Sequence, residues 1–265
     1  MSKFGFIGAG NMGGALAVAL SKSTKDITLS DIDSKKCESL ANEIGATAST
    51  NEQIAKTAKY IVLAVKPQFM ADVLDGIAEV LRERKDDFVL VSIAAGVSIS
   101  KVQTMAKGEY KVIRIMPNTP AFLGEGMLIY ALSEDVKSEE EKEFLDAMTA
   151  AGVWDKTPEK LIDAGCALSG CGPAFVYMMI EALADGAVDC GLPRDKALKF
   201  ASQTVKGSAM MVQQTGKHPG LLKDEVCSPG GATIEGVKAL ENNGFRGAIM
   251  KAVTKAYKKT VELGK

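Results

Sequence analysis

Histidine is almost absent: His218 is the only one in 265 residues. A metal site built on two or three imidazoles cannot form within one such chain. A Ser-His-Asp triad would have to use this one loop residue, set in Lys217-His218-Pro219-Gly220. Five cysteines, at 37, 166, 171, 190 and 227, include no C-x-x-C pair and are odd in number. They indicate neither a disulfide framework nor a thiolate zinc site, so no metal is expected. Cys37 and Cys190 fall within helical patterns and read as small core residues, and Met178, Met179, Met210 and Met211 read as core filler. Charge of one sign is lacking as well, with 32 Lys and Arg against 33 Asp and Glu. Without a strong field, neither nucleic acid nor a membrane is an expected partner. No apolar run approaches the ~20 residues of a membrane span. Met1-Ser2-Lys3 leads straight into the apolar run Phe4 to Ile7, leaving no room for a cleavable leader. A cytoplasmic globular protein is the expectation.

What is present is an alternation. Short β-rich runs at Phe4–Gly8, Ile27–Ser30, Tyr60–Val65, Phe88–Ile93, Val112–Met116 and Met127–Ala131 are separated by amphipathic helical patterns, the signature of a parallel sheet with crossover helices. Met70, Val73, Leu74, Ile77, Val80 and Leu81 form one apolar stripe; Cys37, Leu40, Ala41 and Ile44 form another after Ser34. Beyond Trp154 strand-like runs vanish and helices rich in Ala, Met and Leu take over. The expected domains are therefore 1–157 and 158–265, with the boundary near Pro158. A helix over Pro173–Cys190 carries so little polar surface that it should be buried on most sides, which a domain of this size achieves with a second subunit.

The first strand ends in Gly8-Ala9-Gly10-Asn11-Met12-Gly13, and the helical run Ala15–Leu20 follows. This G-x-G-x-x-G turn lies between a strand and a helix, and Asp31 stands 18 residues past Gly13 at the end of the second strand. That context fits a dinucleotide fingerprint, in which Gly10 lets the backbone approach a pyrophosphate at the helix N-terminus. Asp31 would accept from both ribose hydroxyls of NAD and repel the 2′-phosphate of NADP, favouring NADH; Lys35 and Lys36, close behind, are placed to pair with such a phosphate. Asp33 is a cap candidate for the helix beginning near Ser34.

Other chemistry-bearing stretches recur at strand ends and helix starts. Ala64-Val65-Lys66-Pro67 closes a strand at the carboxyl edge, where open α/β sheets bind ligands, and Lys66 lies either beside the cofactor or in solvent. Met116-Pro117-Asn118-Thr119-Pro120 closes another, its prolines presenting Asn118 and Thr119 rigidly toward an active site. Ala167-Leu168-Ser169-Gly170-Cys171-Gly172-Pro173-Ala174-Phe175 either approaches the nicotinamide or serves as a sharp break between helices. Cys171, with no second histidine to activate it, reads as inert. Val226-Cys227-Ser228-Pro229-Gly230-Gly231-Ala232-Thr233 runs into the helical pattern Ile234, Val237, Leu240. It is either a cradle for a carboxylate or phosphate, or a helix start capped by Ser228.

With these motifs in this order, the chain resembles the pyrroline-5-carboxylate reductases over essentially its full length. The likeness rests on Phe6–Gly13, Ala64–Pro67, Met116–Pro120, Ser169–Ala174 and above all Ser228–Thr233. It implies an α/β fold, with an N-terminal Rossmann-type doubly wound sheet followed by an all-α C-terminal dimerisation domain. That domain intertwines with its twin in a homodimer, often assembled into a decamer, a pentamer of dimers. It also implies hydride transfer from NADPH or NADH to the C=N of 1-pyrroline-5-carboxylate, giving L-proline. Ser228 and the backbone of Gly230, Gly231 and Ala232 would hold the substrate carboxylate while the Thr233 hydroxyl bonds the ring nitrogen. Ser228 and Thr233 are thus the catalytic candidates. The cofactor residues would be Gly8, Gly10, Asn11, Met12, Gly13, Asp31, Ala64, Val65, Lys66, Pro67 and Asn118. Cys171 and Phe175 stand where the family commonly has Ser and Tyr, and Asp31 is unusual in a family that frequently prefers NADPH.

The single histidine then gains meaning. Hydride addition to a ketone builds charge on oxygen and calls for a positioned acid, whereas a protonated cyclic imine is already electrophilic and becomes a neutral amine. The chain suits C=N reduction better than C=O reduction. The β-hydroxyacid dehydrogenases, which share the domain order, use a lysine and an asparagine on the helix after a glycine-rich turn, and Pro173–Cys190 has neither. A non-catalytic dinucleotide sensor would have no use for the Ser228–Thr233 loop.

Overall fold

The alternating pattern folds into an eight-stranded sheet. The computed structural model describes residues 3–264; Met1 and Ser2, on which the expectation about a leader rests, and Lys265 lie outside the described residues. The strands are β1 (Phe4–Ile7), β2 (Ile27–Ser30), β3 (Thr47–Ala48), β4 (Tyr60–Leu63), β5 (Val89–Ser92), β6 (Val112–Met116), β7 (Gly126–Leu132) and β8 (Gly152–Lys156). Their order is β3-β2-β1-β4-β5-β6-β7-β8. All neighbours are parallel except β6 and β7, which run antiparallel. From β1 the chain adds β2 and β3 on one side, then β4, β5 and β6 on the other. That reversal leaves a crevice beyond the carboxyl ends of β1 and β4. All six expected strands are present. The two unexpected ones are β3, too short to show a period, and β8, an edge strand whose residues are largely exposed.

Helices α1 (Asn11–Leu20), α2 (Ser34–Ile44), α3 (Asn51–Thr57), α4 (Met70–Glu83), α5 (Ile99–Ala106), α6 (Ser138–Ala147) and α7 (Glu159–Gly165) flank the sheet. One core gathers Leu16, Leu20, Cys37, Ile44 and Phe144 against Phe4, Phe6, Leu29 and Val62. The other gathers Ile54, Leu74, Ile77, Val102 and Ile162 against Ile7, Ile61, Leu63 and Leu90. Strands buried on both faces are dominated by apolar, β-branched residues, which makes them legible in the sequence. The stripe on α4 buries Met70, Leu74, Ile77 and Leu81 as its 3.6 period requires.

Two polar clusters pin helices to this sheet. Glu143 of α6 accepts from Lys3 Nζ at 2.7 Å, from the Tyr60 hydroxyl at 2.7 Å and from Lys59. Burial pushes its carboxyl up, but the three donors outweigh this and hold it at about 2. Arg114 of β6, 3% exposed, pairs with Asp163 at 2.5 Å and Glu159 at 3.3 Å, both on α7. Glu159 also accepts from the Ile99 N–H at 2.7 Å, so one carboxylate caps α5 and anchors α7.

The chain forms two compact units, dividing at Cys171/Gly172; the stretch from Ala256 onward belongs with the first. The sequence-based division at 157/158 lies earlier, because α7 packs Ile162 into the sheet's second core. The second unit holds α8 (Gly172–Asp189), α9 (Arg194–Thr215), α10 (Pro219–Glu225), α11 (Ala232–Asn242) and most of α12 (Phe245–Leu263). Its buried core is small, comprising Ala184, Ala197 and Ala201.

Several expectations are corrected here. The burial expected for α8 calls on a second subunit, and within this chain only its Ala184 is buried. Met178, Met210 and Met211 are exposed rather than core filler, and Cys190, just past the end of α8, is exposed too. A helical run continues through Glu159–Asp189 and is, by length and composition, apolar enough to cross a bilayer. The expectation that no stretch approaches that length failed because Gly170, Gly172 and Pro173 read as a break. The chain instead runs through them, with a π turn at Cys166–Gly170 and α8 from Gly172.

Candidate active site

At the crevice the glycine turn separates into positions used by the fold and one left open. A Cβ on Gly8, whose φ is +106°, would lie 2.6 Å from the Ala64 carbonyl oxygen. One on Gly13 would collide with the Gly8 carbonyl oxygen and stand 2.8 Å from the Ala64 Cβ. Both glycines are needed for α1 to sit against the ends of β1 and β4. Around Gly10 nothing lies within 4 Å of an added Cβ. Among the described residues no atom accounts for that glycine, and it is the N-cap of a helix with no side-chain cap and no acidic residue in its first turn. An uncovered backbone at a helix N-terminus suits a pyrophosphate. Asn11 is exposed and Met12 half-buried at the start of α1.

Asp31 holds this turn in place. Its Oδ2 accepts from the Ala9 N–H at 2.6 Å and its Oδ1 from the Asp33 N–H at 3.0 Å. Asp33 caps α2 as expected, accepting from the Lys36 N–H at 3.1 Å. Next to Asp31, Ile32 is fully exposed. The Ser30 hydroxyl, ending β2, donates to Asn51 Oδ1 at 2.6 Å at the start of α3. This Ser30/Asn51 pair beside Asp31 was missed in the sequence, where Thr50-Asn51 signals only a helix start.

Ala64 and Val65 continue from β4 and are half-buried, with the Ala64 N–H bonded to the Ile7 carbonyl at 2.8 Å. Lys66 is exposed, and Pro67 opens a single 3-10 turn ending at Phe69. Asn118 is different, being 7% exposed with both ends of its amide bonded to backbone. Thr119 beside it is exposed.

In the second unit, α11 begins at Ala232 with Gly231 as its N-cap and no side-chain cap. The reading in which Ser228 caps this helix is therefore not what forms. The Gly231 N–H instead bonds the Ser228 carbonyl at 3.1 Å, and Gly230 takes a φ of +67°, open to glycine. Ser228 and Thr233 are exposed on either side. His218 caps α10, its Nδ1 accepting from the Gly220 N–H at 3.1 Å. The one imidazole of the chain is thus engaged in a turn.

Residues 159–263 match the family model for pyrroline-5-carboxylate reductase dimerisation, and residues 3–96 match that for NADP oxidoreductase, coenzyme F420-dependent. Pyrroline-5-carboxylate reductase of Glycine max is 43% identical, over 98% of this chain and 95% of the relative. That of Escherichia coli (strain K12) is 42% identical, over 99% and 98%. The crystal structure of Plasmodium falciparum pyrroline carboxylate reductase with NADP bound superposes with a TM-score of 0.89. It is 36% identical and covers 100% of this chain and 98% of that one.

Fold, turn and matches define an NAD(P)-dependent oxidoreductase: a Rossmann-type sheet followed by a helical dimerisation domain. Within that class, the chain belongs to the pyrroline-5-carboxylate reductase family.

The contrast between the glycines is testable. Gly13→Ala is expected to cost roughly 2 kcal/mol or more in urea unfolding, because its methyl meets backbone. Gly10→Ala is expected to leave stability within about 0.5 kcal/mol yet weaken NAD(P)H binding, followed by nicotinamide fluorescence, about tenfold. Undiminished binding in Gly10→Ala would remove Gly10 from the pyrophosphate path.

Proposed function

We propose that this chain reduces 1-pyrroline-5-carboxylate to L-proline with NADH or NADPH. The observation that carries this reading is the start of α11. A glycine N-cap there lacks any side-chain cap and is flanked by two exposed hydroxyls, in a chain whose only histidine caps another helix. Ser228, with the N–H groups of Gly230 and Ala232, holds the substrate carboxylate against Gly231, whose own N–H is bonded to the Ser228 carbonyl, favoured by the positive end of the α11 dipole. The Thr233 hydroxyl bonds the ring nitrogen and sets the orientation of the C=N face. When bound, the reduced nicotinamide supplies the hydride that adds to the imine carbon. Because the protonated imine ends as a neutral amine, orientation and exclusion of water stand in for a dedicated acid.

On the cofactor side, Gly8, Gly10, Asn11, Met12 and Gly13 receive the pyrophosphate, and Ala64, Val65, Lys66 and Pro67 line the far wall of the crevice. In this reading 1–157 is the dinucleotide-binding region and 158–265 the substrate and dimerisation region. The apolar surface of α8, including Met178 and Leu183, is covered by a second copy of the chain. Dimers assemble further into a decamer, and the enzyme works in the cytoplasm, a reducing compartment suited to five free cysteines.

The expected outcomes are specific. Purified protein oxidises NADH or NADPH when given pyrroline-5-carboxylate and leaves NAD unchanged with 3-hydroxyisobutyrate; no oxidation with the imine overturns the assignment. Thr233→Ala lowers kcat/KM for the imine about tenfold or more with cofactor binding retained, and unaltered kinetics would exclude Thr233. Asp31 stands at the ribose end of the crevice, so NADH is the preferred donor. Asp31→Ser shifts the kcat/KM ratio toward NADPH, and a constant ratio would show that another group reads the ribose. Sedimentation gives a particle of ten chains; a dimer at all concentrations would contradict the decamer.

A further inference from the structure

Each end of the Asn118 amide is engaged by backbone. Its Nδ2 donates to the Ser169 carbonyl at 3.0 Å, and its Oδ1 accepts from the Met127 N–H at 3.0 Å. Ser169 lies in the π turn Cys166–Gly170, where the Cys171 N–H reaches back five residues to the Cys166 carbonyl at 3.0 Å. The origin of that turn can be read in the chain. In an α-helix the Ser169 carbonyl would accept from the N–H of residue 173, but residue 173 is proline, which has none. Its ring also crowds the carbonyl four residues earlier. The helix widens by one residue, and the Ser169 carbonyl is without its α-helical partner. The Ser169 hydroxyl does not compensate, because it donates to the Gly165 carbonyl at 2.9 Å. The Asn118 amide takes the vacant place.

We infer that Asn118 is a positioning residue: its amide supplies the donor that Pro173 removes. It thereby locks the π turn of Ser169 and Gly170 to the loop that follows β6. This rests on reading the carboxyl edge of the sheet as the active site. Asn118 acts through Ser169, not on the cofactor. The side chain that looked presented to a ligand in Met116-Pro117-Asn118-Thr119-Pro120 is turned inward, and exposed Thr119 is left as the hydroxyl of that loop. Gly170 fits the same design, since an added Cβ would stand 3.3 Å from Cys166 Sγ and 3.7 Å from Met116 Cε.

A double-mutant cycle with Pro173→Ala tests this, because alanine restores an N–H at residue 173. Asn118→Ala is expected to lower kcat about tenfold, with the Kd for NAD(P)H within about twofold, and to lower stability in urea. In the Pro173→Ala background both losses shrink. Asn118→Asp keeps the acceptor for Met127 and removes the donor. Its kcat recovers as pH falls and the carboxyl gains a proton to donate to Ser169, a profile that the unmodified enzyme lacks. Equal losses in both backgrounds overturn the inference, as does weakened cofactor binding with kcat intact. If Asn118→Ala does not fold, Asn118→Asp runs the same cycle. The stability and cofactor-binding arms need no imine turnover, so failure of the proposed reaction is distinguishable from failure of the clamp.

Discussion

The glycine turn packs directly against the end of β4. Gly8 and Gly13 meet Ala64 at distances no side chain would allow, and this fixes the start of α1 at the crevice where the sheet reverses its order. Everything on the cofactor side depends on that contact. It aims the helix N-terminus, leaves Gly10 uncovered and brings Asp31 within 2.6 Å of the Ala9 N–H. The turn is thus held from two directions, by packing against β4 and by a carboxylate from the end of β2.

The helical unit is organised on a different principle. Its own buried core is three alanines, while large apolar side chains on α8, α9, α11 and α12 stand exposed. A surface of that kind is unfavourable in water at about 25 cal/mol per Å², and association removes the cost. The match of residues 159–263 to a dimerisation family is consistent with that physics. Where the sheet unit spends its apolar residues on folding, the helical unit keeps them for assembly.

Chemically the chain is sparse. Histidine is used once, as a cap, and the backbone supplies what side chains do not. Both helix starts singled out in the sequence, at Gly10 and Gly231, are glycine N-caps without a side-chain partner, whereas α2, α3 and α5 are capped by Asp33, Thr50 and Ser98. Anions bound at such positions need only N–H groups and a dipole, which suits a reaction whose substrate arrives already electrophilic.

The sequence by itself determined six of the eight strands, the α4 stripe, the dinucleotide turn and the Ser228–Thr233 loop. Each of these is a local pattern, set by burial on both strand faces, by helical period or by glycine geometry, and each survives without knowledge of its neighbours. Tertiary structure decided the rest. Thr47–Ala48 becomes a strand only because β2 lies beside it, and the polar residues of β8 are at home only on an edge. Asp31 reads only as a ribose ligand, and the fold alone adds the Ala9 N–H to its partners. Asn118 reads as a presented side chain until Ser169, 51 residues away, offers a carbonyl that Pro173 cannot serve. Long-range hydrogen bonds of this kind leave no periodic trace, because the two partners share no pattern along the chain and meet only when the sheet is complete.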